Sequence, residues 1–218
     1  MSDVDPPPQP SDAGHWRRQL QEAMREAAER EAGERDSVGR FNYRWEHVSA
    51  VVSLAMRLAA LTGADGDVVE AAAWLHDIAK EAGRDHPAHG AAFARRFLPG
   101  TDFPAAKIDA VARTIEDHMG LWRDTPLETL ESQVLWDADK LSKIGLTAAI
   151  HWSGMQLSAG NIITTSDLIA FGRNADWQLK TVRSMHTDPA RRAAMARFVA
   201  YNELWDRLEE ELRGADLG

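Results

Sequence analysis

Apolar residues recur at helical spacing along most of the chain, and no stretch alternates strictly between apolar and polar. Val48, Val51, Val52, Ala55 and Leu58 predict a helix over Tyr43–Leu61, stopped by Thr62-Gly63. The alanine-rich run through AAAWLHDIAK predicts another from Asp67 to about Lys80. HPAHGAAFARRFL gives a short helix closed by Pro99-Gly100. Ile108, Val111, Ile115 and His118 share one stripe of a helix over Ala105–Met119, before Gly120. Leu130, Val134, Ala138 and Leu141 do the same from Leu127 to about Ile144, and Thr147–Leu157 follows. SAGNIITTS, 158–166, is a turn-rich connection and a candidate lid. Asp167 to about Met185 reads as helix interrupted by Gly172. Asp188 is a good N-cap with Pro189 at the first helical position and Gly214 past the last turn. Met195, Phe198, Trp205, Leu208 and Leu212 supply that helix's expected buried face. Upstream, Ser11 or Asp12 starts a helix to about Glu34 with the stripe Trp16, Leu20, Ala23 and Ala27. Arg18/Glu22 and Glu26/Arg30 give it charge pairs four apart.

The expected fold class is therefore all-α, a helical bundle with extra N-terminal and C-terminal helices. Residues 1–10 read as a flexible proline-rich tail, 11–39 as an N-terminal helical appendage, 40–150 as the core, and 151–218 as C-terminal helices packed on the same domain. The 218 residues, 44% hydrophobic, suffice for a real core. A formal net charge of −9 argues against an extended nucleic-acid groove, though not against a small phosphate ligand. The chain has no cysteine, which excludes disulfides, thiolate metal sites and a cysteine nucleophile. No apolar run approaches a membrane span, and the acidic, proline-rich start does not resemble a signal peptide, so a cytoplasmic protein is expected.

His76 changes the picture. Val69, Ala72 and Ala73 precede it at helical offsets, which puts an ionisable ring on an apolar face. A lone buried histidine is ordinarily a satisfied core residue. Here His47 and His118 also take inner positions of their helices, WDADKL adds two aspartates late in an apolar helix, and His86 precedes a proline at a helix start. One metal cluster between helices can satisfy such groups together. Imidazole and carboxylate without thiolate suit manganese, iron, zinc or another divalent ion, with hydrolysis as the natural chemistry.

The ordered pattern RWEH (44–47), LHDIAK (75–80) and DADKL (137–141), followed by Ile144-Gly145, resembles the HD-domain phosphohydrolase superfamily and a bacterial single-domain subgroup within it. HWSGMQLS and the C-terminal helix are similar to the same subgroup. The resemblance implies an all-helical HD-domain core over 40–150 that holds a divalent ion through His47, His76, Asp77 and a distal aspartate. Manganese is favoured by it, with iron, zinc, magnesium, cobalt or nickel as alternatives. Asp137 and Asp139 stand two apart and point about 200° from each other on a helix. Stripe periodicity favours Asp137; the family pattern favours Asp139. Asp139 is taken as the metal ligand, with Asp137 kept as a candidate for supporting the site or touching substrate.

His86, in HPAHGA, and His118, in EDHMG, match positions that complete a second metal site in dinuclear relatives and line the pocket in mononuclear ones. They are assigned here as substrate contacts, together with Arg44, Lys80 and Lys140. Asp77 and Lys80 are assigned catalytic roles: a divalent ion lowers the pKa of water, Asp77 orients that water, and cations neutralise the phosphate. Lys180 is a weaker phosphate candidate, Glu81 is either a general acid/base or a helix-end charge and is left unassigned, and His89, His15, His151 and His186 fall outside the set. Trp45, Trp74 and Trp136 flank the motifs and read as packing residues. A P-loop, HExxH and GxSxG are all absent. The implied activity is a divalent-metal-dependent phosphohydrolase acting on a nucleotide or related phosphate compound, with nucleoside triphosphate cleavage to monophosphate and pyrophosphate as the sharper form. The competing reading is a non-catalytic metal- or nucleotide-binding regulatory module. No membrane partner is expected, and a homodimer could form through an apolar face of either terminal helix.

Overall fold

The computed structural model describes residues 14–34, 42–174 and 176–217. The expected tail and the candidate caps Ser11 and Asp12 lie outside them. All regular structure among the described residues is helical: α1 (His15–Glu34), α2 (Tyr43–Thr62), α3 (Gly66–Leu75), α4 (His86–Phe97), α5 (Ile108–Glu116), α6 (Leu130–Leu141), α7 (Leu146–Ser158), α8 (Thr165–Arg173), α9 (Asp176–Arg183) and α10 (Asp188–Arg213), with short 3-10 turns between some of them. None of these helices is long and apolar enough to cross a membrane.

Helices α2, α3, α5 and α6 pack around a continuous apolar core, and α4 closes against α5. Their ends are fixed by side chains. Asn42 accepts from Trp45 N at the start of α2, and Gly63 ends it in the left-handed region at φ 79°. Asp65 caps α3 by accepting from Asp67 N and Val68 N. Thr129 caps α6.

α1 joins the same core. Its buried stripe is Trp16, Leu20, Met24 and Ala28 rather than the expected Ala23 and Ala27, which are only half-buried. Met24 fills more space than alanine and takes the inner line of positions four apart. The Asp102 carboxylate caps α1 from a distant loop, accepting from Gly14, His15 and Trp16 backbone N–H groups at 2.8, 3.1 and 2.6 Å. The Trp16 and Phe103 rings meet edge to face at 5.0 Å.

Two expected helices run short. The helix expected to reach Lys80 stops at Leu75, and the one expected to reach Met119 stops at Glu116. Tight i→i+3 bonds follow each, Ile78 N to Leu75 O (3.1 Å) and His118 N to Ile115 O (3.3 Å). Hydrophobic periodicity continues through such turns, so it could not show where the helix tightens.

The C-terminal part differs most from expectation. Gly172 does not interrupt a helix; it lies inside α8, where a Cβ would come within 2.2 Å of the Trp205 ring. The break falls at Asn174, between α8 and α9. Thr187, not Asp188, is the N-cap residue of α10, and its hydroxyl is spent on Asp137. The buried face of α10 is Ala190, Ala194, Tyr201 and Trp205, while Met195 and Leu212 are about half exposed. Small residues let α10 approach the bundle closely, and Tyr201 and Trp205 pack with Ala149 and Ile169 in a second, smaller core. Gly145 has φ 81°, and a Cβ there would meet Arg197 Cβ at 2.7 Å, so α10 presses directly on the turn after α6.

Candidate metal centre

The tight turn after α3 answers why histidine and aspartate stand side by side. On a continuing α-helix, adjacent side chains diverge by about 100°. In this turn His76 and Asp77 instead face the same space, which His47 enters from α2 and Asp139 from α6. His47, His76, Asp77 and Asp139 are all at most 3% exposed. Ligand atoms of His47, His76 and Asp77 lie within 4.8 Å of one another, and so do those of Asp77, His86 and His118.

Asp77 links the two groups. Its Oδ2 lies 3.6 Å from His47 Nε2 and 3.8 Å from His76 Nε2. Its Oδ1 lies 3.2 Å from His86 Nε2 and 3.7 Å from His118 Nε2. Asp139 Oδ1 adds a carboxylate at 3.2 Å from His47 Nε2 and 3.9 Å from His76 Nε2.

Hydrogen bonding fixes which nitrogen each ring presents. Nδ1–H of His76 donates to Ala73 O at 2.7 Å, that of His86 to Gly83 O at 2.6 Å, and that of His118 to Ile115 O at 2.6 Å. Ser142 Oγ donates to Asp139 O at 2.7 Å, so it must accept from His47 Nδ1–H at 3.1 Å. All four rings therefore hold their protons on Nδ1 and present Nε2 lone pairs. Two pairs of those lone pairs face each other: His47 and His76 at 3.4 Å, and His86 and His118 at 3.0 Å. Burial pushes the His47 and His118 imidazoles below their ordinary value and His76 well below it, which keeps these rings unprotonated. Opposed lone pairs repel unless a cation lies between them, so this donor set fits divalent metal.

The carboxylates are held anionic. Burial alone would raise both; the Arg44 guanidinium beside Asp77, and the Lys140 and Lys143 ammonium groups beside Asp139, outweigh it. Both sit well below the ordinary carboxylate range.

The candidate cations divide. Lys80 is about a third exposed and donates to Asp77 Oδ1 at 3.0 Å and to His86 Nε2 at 3.1 Å, so it stands at the mouth of the site. Arg44, expected to touch substrate, is 8% exposed, and its guanidinium is occupied by Glu31 on α1 (2.8 Å) and by Asp77. It positions Asp77. Lys140, also expected to touch substrate, is 1% exposed; its ammonium is spent on Asp139, on His118 O at 2.9 Å and on the Trp136 face at 4.2 Å. Burial lowers its pKa to about 8. Asp137 lies outside the cluster: it accepts from His186 N, Thr187 N and Thr187 Oγ at 2.8, 2.8 and 2.7 Å, tying α6 to the start of α10.

Sequence reasoning missed four supporting residues. Lys143 pairs with Asp139 Oδ1 at 2.6 Å, one turn on in sequence, a spacing that could have flagged it. Ser142 holds His47, and Tyr43 stacks on His47 at 5.9 Å between centroids. Glu31 comes from α1 and carried no local signal.

Residues 44–144 match the family model of the HD domain. Two curated relatives are bifunctional uridylyltransferase/uridylyl-removing enzymes, from Bradyrhizobium diazoefficiens (32% identical over 126 residues) and Nitrobacter winogradskyi (31% over 126 residues). The match takes in 56% of this chain but only 13% of either relative's length. Among solved structures, Bacillus subtilis YpgQ in complex with ADP superposes with a TM-score of 0.65 at 22% identity, covering 91% of this chain and 98% of that one. A predicted HD superfamily hydrolase from an uncultured Thermotogales bacterium does so with a TM-score of 0.61 at 24% identity, covering 89% and 92%.

Proposed function

We propose that this chain, whose residues 44–144 match the HD-domain family model, is a metal-dependent phosphohydrolase that hydrolyses a nucleotide or related phosphate compound, with nucleoside triphosphate cleavage to monophosphate and pyrophosphate as the sharper form. The observation that carries the reading is the pair of opposed Nε2 lone pairs on either side of one carboxylate. His47, His76, Asp77 Oδ2 and Asp139 would hold one divalent ion. His86, His118 and Asp77 Oδ1 would hold a second, which moves both histidines from the substrate contacts expected of them to ligand positions. Bound there, a divalent ion supplies Lewis acidity towards water and phosphate oxygens.

The chain's own groups do the rest. Asp77, anionic and fixed by Arg44, orients the attacking water. Lys80, the partly exposed cation, neutralises phosphate oxygens as charge develops on them. Lys140 and Lys143 keep Asp139 ionised from beneath. A cavity of about 260 Å³ lined by Leu121, Trp152, Gln156, Phe171, Asn174, Trp177 and Tyr201 offers aromatic faces and two amides to a base. It adjoins the centre in sequence: Leu121 is three residues past His118, and Trp152 follows His151, whose ring meets Tyr43 at 5.4 Å. The names of the relatives agree with nucleotide chemistry, one set for uridylyl transfer and removal and one for its complex with ADP.

The test is release of phosphate and pyrophosphate from a nucleotide panel with manganese, comparing the wild type with Asp77→Ala. Metal-dependent turnover that the variant loses supports the reading and names the bond cut. Metal bound without turnover on any nucleotide replaces it with a metal- or nucleotide-binding regulatory module.

A further inference from the structure

A second cavity, of about 310 Å³, is formed by residues 123–126, Gln133 of α6, residues 183–186 and Arg191 of α10. It shares no residue with the proposed ligand set. Three arginines line it, Arg123, Arg183 and Arg191, against one carboxylate, Asp124. In a chain of net charge −9 this is a local reversal of sign.

Two of the three arginines have no ion-pair partner among the described residues, and the third has only an exposed one. Arg191 pairs with Asp188, which is itself largely exposed, and donates to Met185 O at 3.0 Å. Arg123 donates only to carbonyls, Thr125 O at 3.3 Å and Asp117 O at 3.2 Å. Among the described residues, neither Arg123 nor Arg183 has a carboxylate within ion-pair distance. Like charges gathered in one concavity repel unless a counter-charge enters, and the planar guanidinium fork matches phosphoryl oxygens.

The cavity wall is also wired to the metal centre. Arg123 lies over the buried Trp136 ring at 5.2 Å, and the Lys140 ammonium lies over the same ring at 4.2 Å. Lys140 in turn holds Asp139 and His118 O. Arg123 also bonds the carbonyl of Asp117, the neighbour of His118. His186, another lining residue, hangs from Asp137, two residues before Asp139.

We propose that this arginine-lined cavity is a second anion site, for an oligophosphate, and that its occupation is transmitted to the metal centre through Arg123 and Trp136. The ligand chemistry is two or more linked phosphoryl groups, from free pyrophosphate or from the phosphate chain of a nucleotide. The site goes beyond the hydrolytic reading and stands on different residues.

The experiment is a titration of the full chain, ¹⁵N-labelled and kept in EDTA, with pyrophosphate and separately with ADP, followed by amide and tryptophan indole resonances. The expected result is saturable shifts at Arg123, Arg183, Arg191, the Trp136 indole and the His118 amide. Arg183→Glu, on an exposed side chain, should weaken binding at least about tenfold while leaving the rest of the spectrum in place. Shifts with pyrophosphate alone identify the free anion as the ligand; shifts with both identify the shared diphosphate. The absence of saturable shifts overturns the proposal, and so do shifts confined to the surroundings of His47, His76, His86 and His118, or binding that Arg183→Glu leaves unchanged. Shifts around the cavity without movement of Trp136 or His118 overturn its coupling to the metal centre. Because EDTA removes divalent ions, none of these readings depends on turnover.

Discussion

Ser142→Ala tests the tautomer argument at its weakest joint. The Ser142 hydroxyl is 3.1 Å from His47 Nδ1 and donates its own proton to Asp139 O, so only the Nδ1–H form of His47 satisfies both groups. Without it the buried Nδ1–H has no acceptor, at a cost of about 1–3 kcal/mol. The ring has an escape: moving its proton to Nε2 lets it donate to Asp139 Oδ1, already 3.2 Å away. That rescue blocks the lone pair the metal needs. Thermal stability should therefore fall by less than the full cost, while metal affinity falls about 10–100-fold, the usual effect of deleting a ligand's hydrogen-bond partner. As free energy this is about 1.4–2.7 kcal/mol, matching the cost of the unpaired N–H. Calorimetric titration of the metal-free protein with manganese measures it, with circular dichroism as the check on folding. Ser142→Thr keeps the hydroxyl and should restore most of the affinity. An alanine variant that folds and binds manganese within about twofold of wild type would refute the reasoning.

The two aspartates of DADKL should separate cleanly: Asp139→Asn lowers manganese affinity, whereas Asp137→Asn leaves it near wild type and lowers the melting temperature, because Asp137 holds the start of α10. Equal effects in both assays would mean the roles are misassigned. Gly172→Ala should cost about 1–3 kcal/mol by overpacking against Trp205, or roughly 2–12 °C in melting temperature, and a variant as stable as wild type would count against the close approach of α8 and α10. The metal-free protein should lose stability as pH falls below about 6.5: burial depresses His47, His76 and His118, so the unfolded chain takes up protons there that the folded chain refuses. Denaturant melts of the chelated protein across pH 5–8 check the sign, and stability that rises on acidification would refute it.

Helical class, the existence and approximate extent of most helices, and the inward placement of His47 and His76 could be read from sequence, whereas Asp77 and Asp139 joined the set through resemblance to a family pattern. The reason is local: 3.6-residue periodicity and terminating glycines such as Gly63 and Gly214 act within a few residues of chain. Where two readings agreed locally, only tertiary structure decided. Asp137 and Asp139 both suit α6, and the choice depends on α10, which arrives some fifty residues later to take Asp137. Lys140 and Arg44 read as substrate contacts because sequence shows charge but not what covers it; packing buries both beneath the site. The inner face of α10 was misjudged because its largest apolar residues are not its closest contacts, Ala190 and Ala194 being the ones that let it settle on the bundle. The sharing of Asp77 between two histidine pairs is a matter of ångströms between four separate segments, and those distances are set by the packing of the whole core rather than by any spacing along the chain.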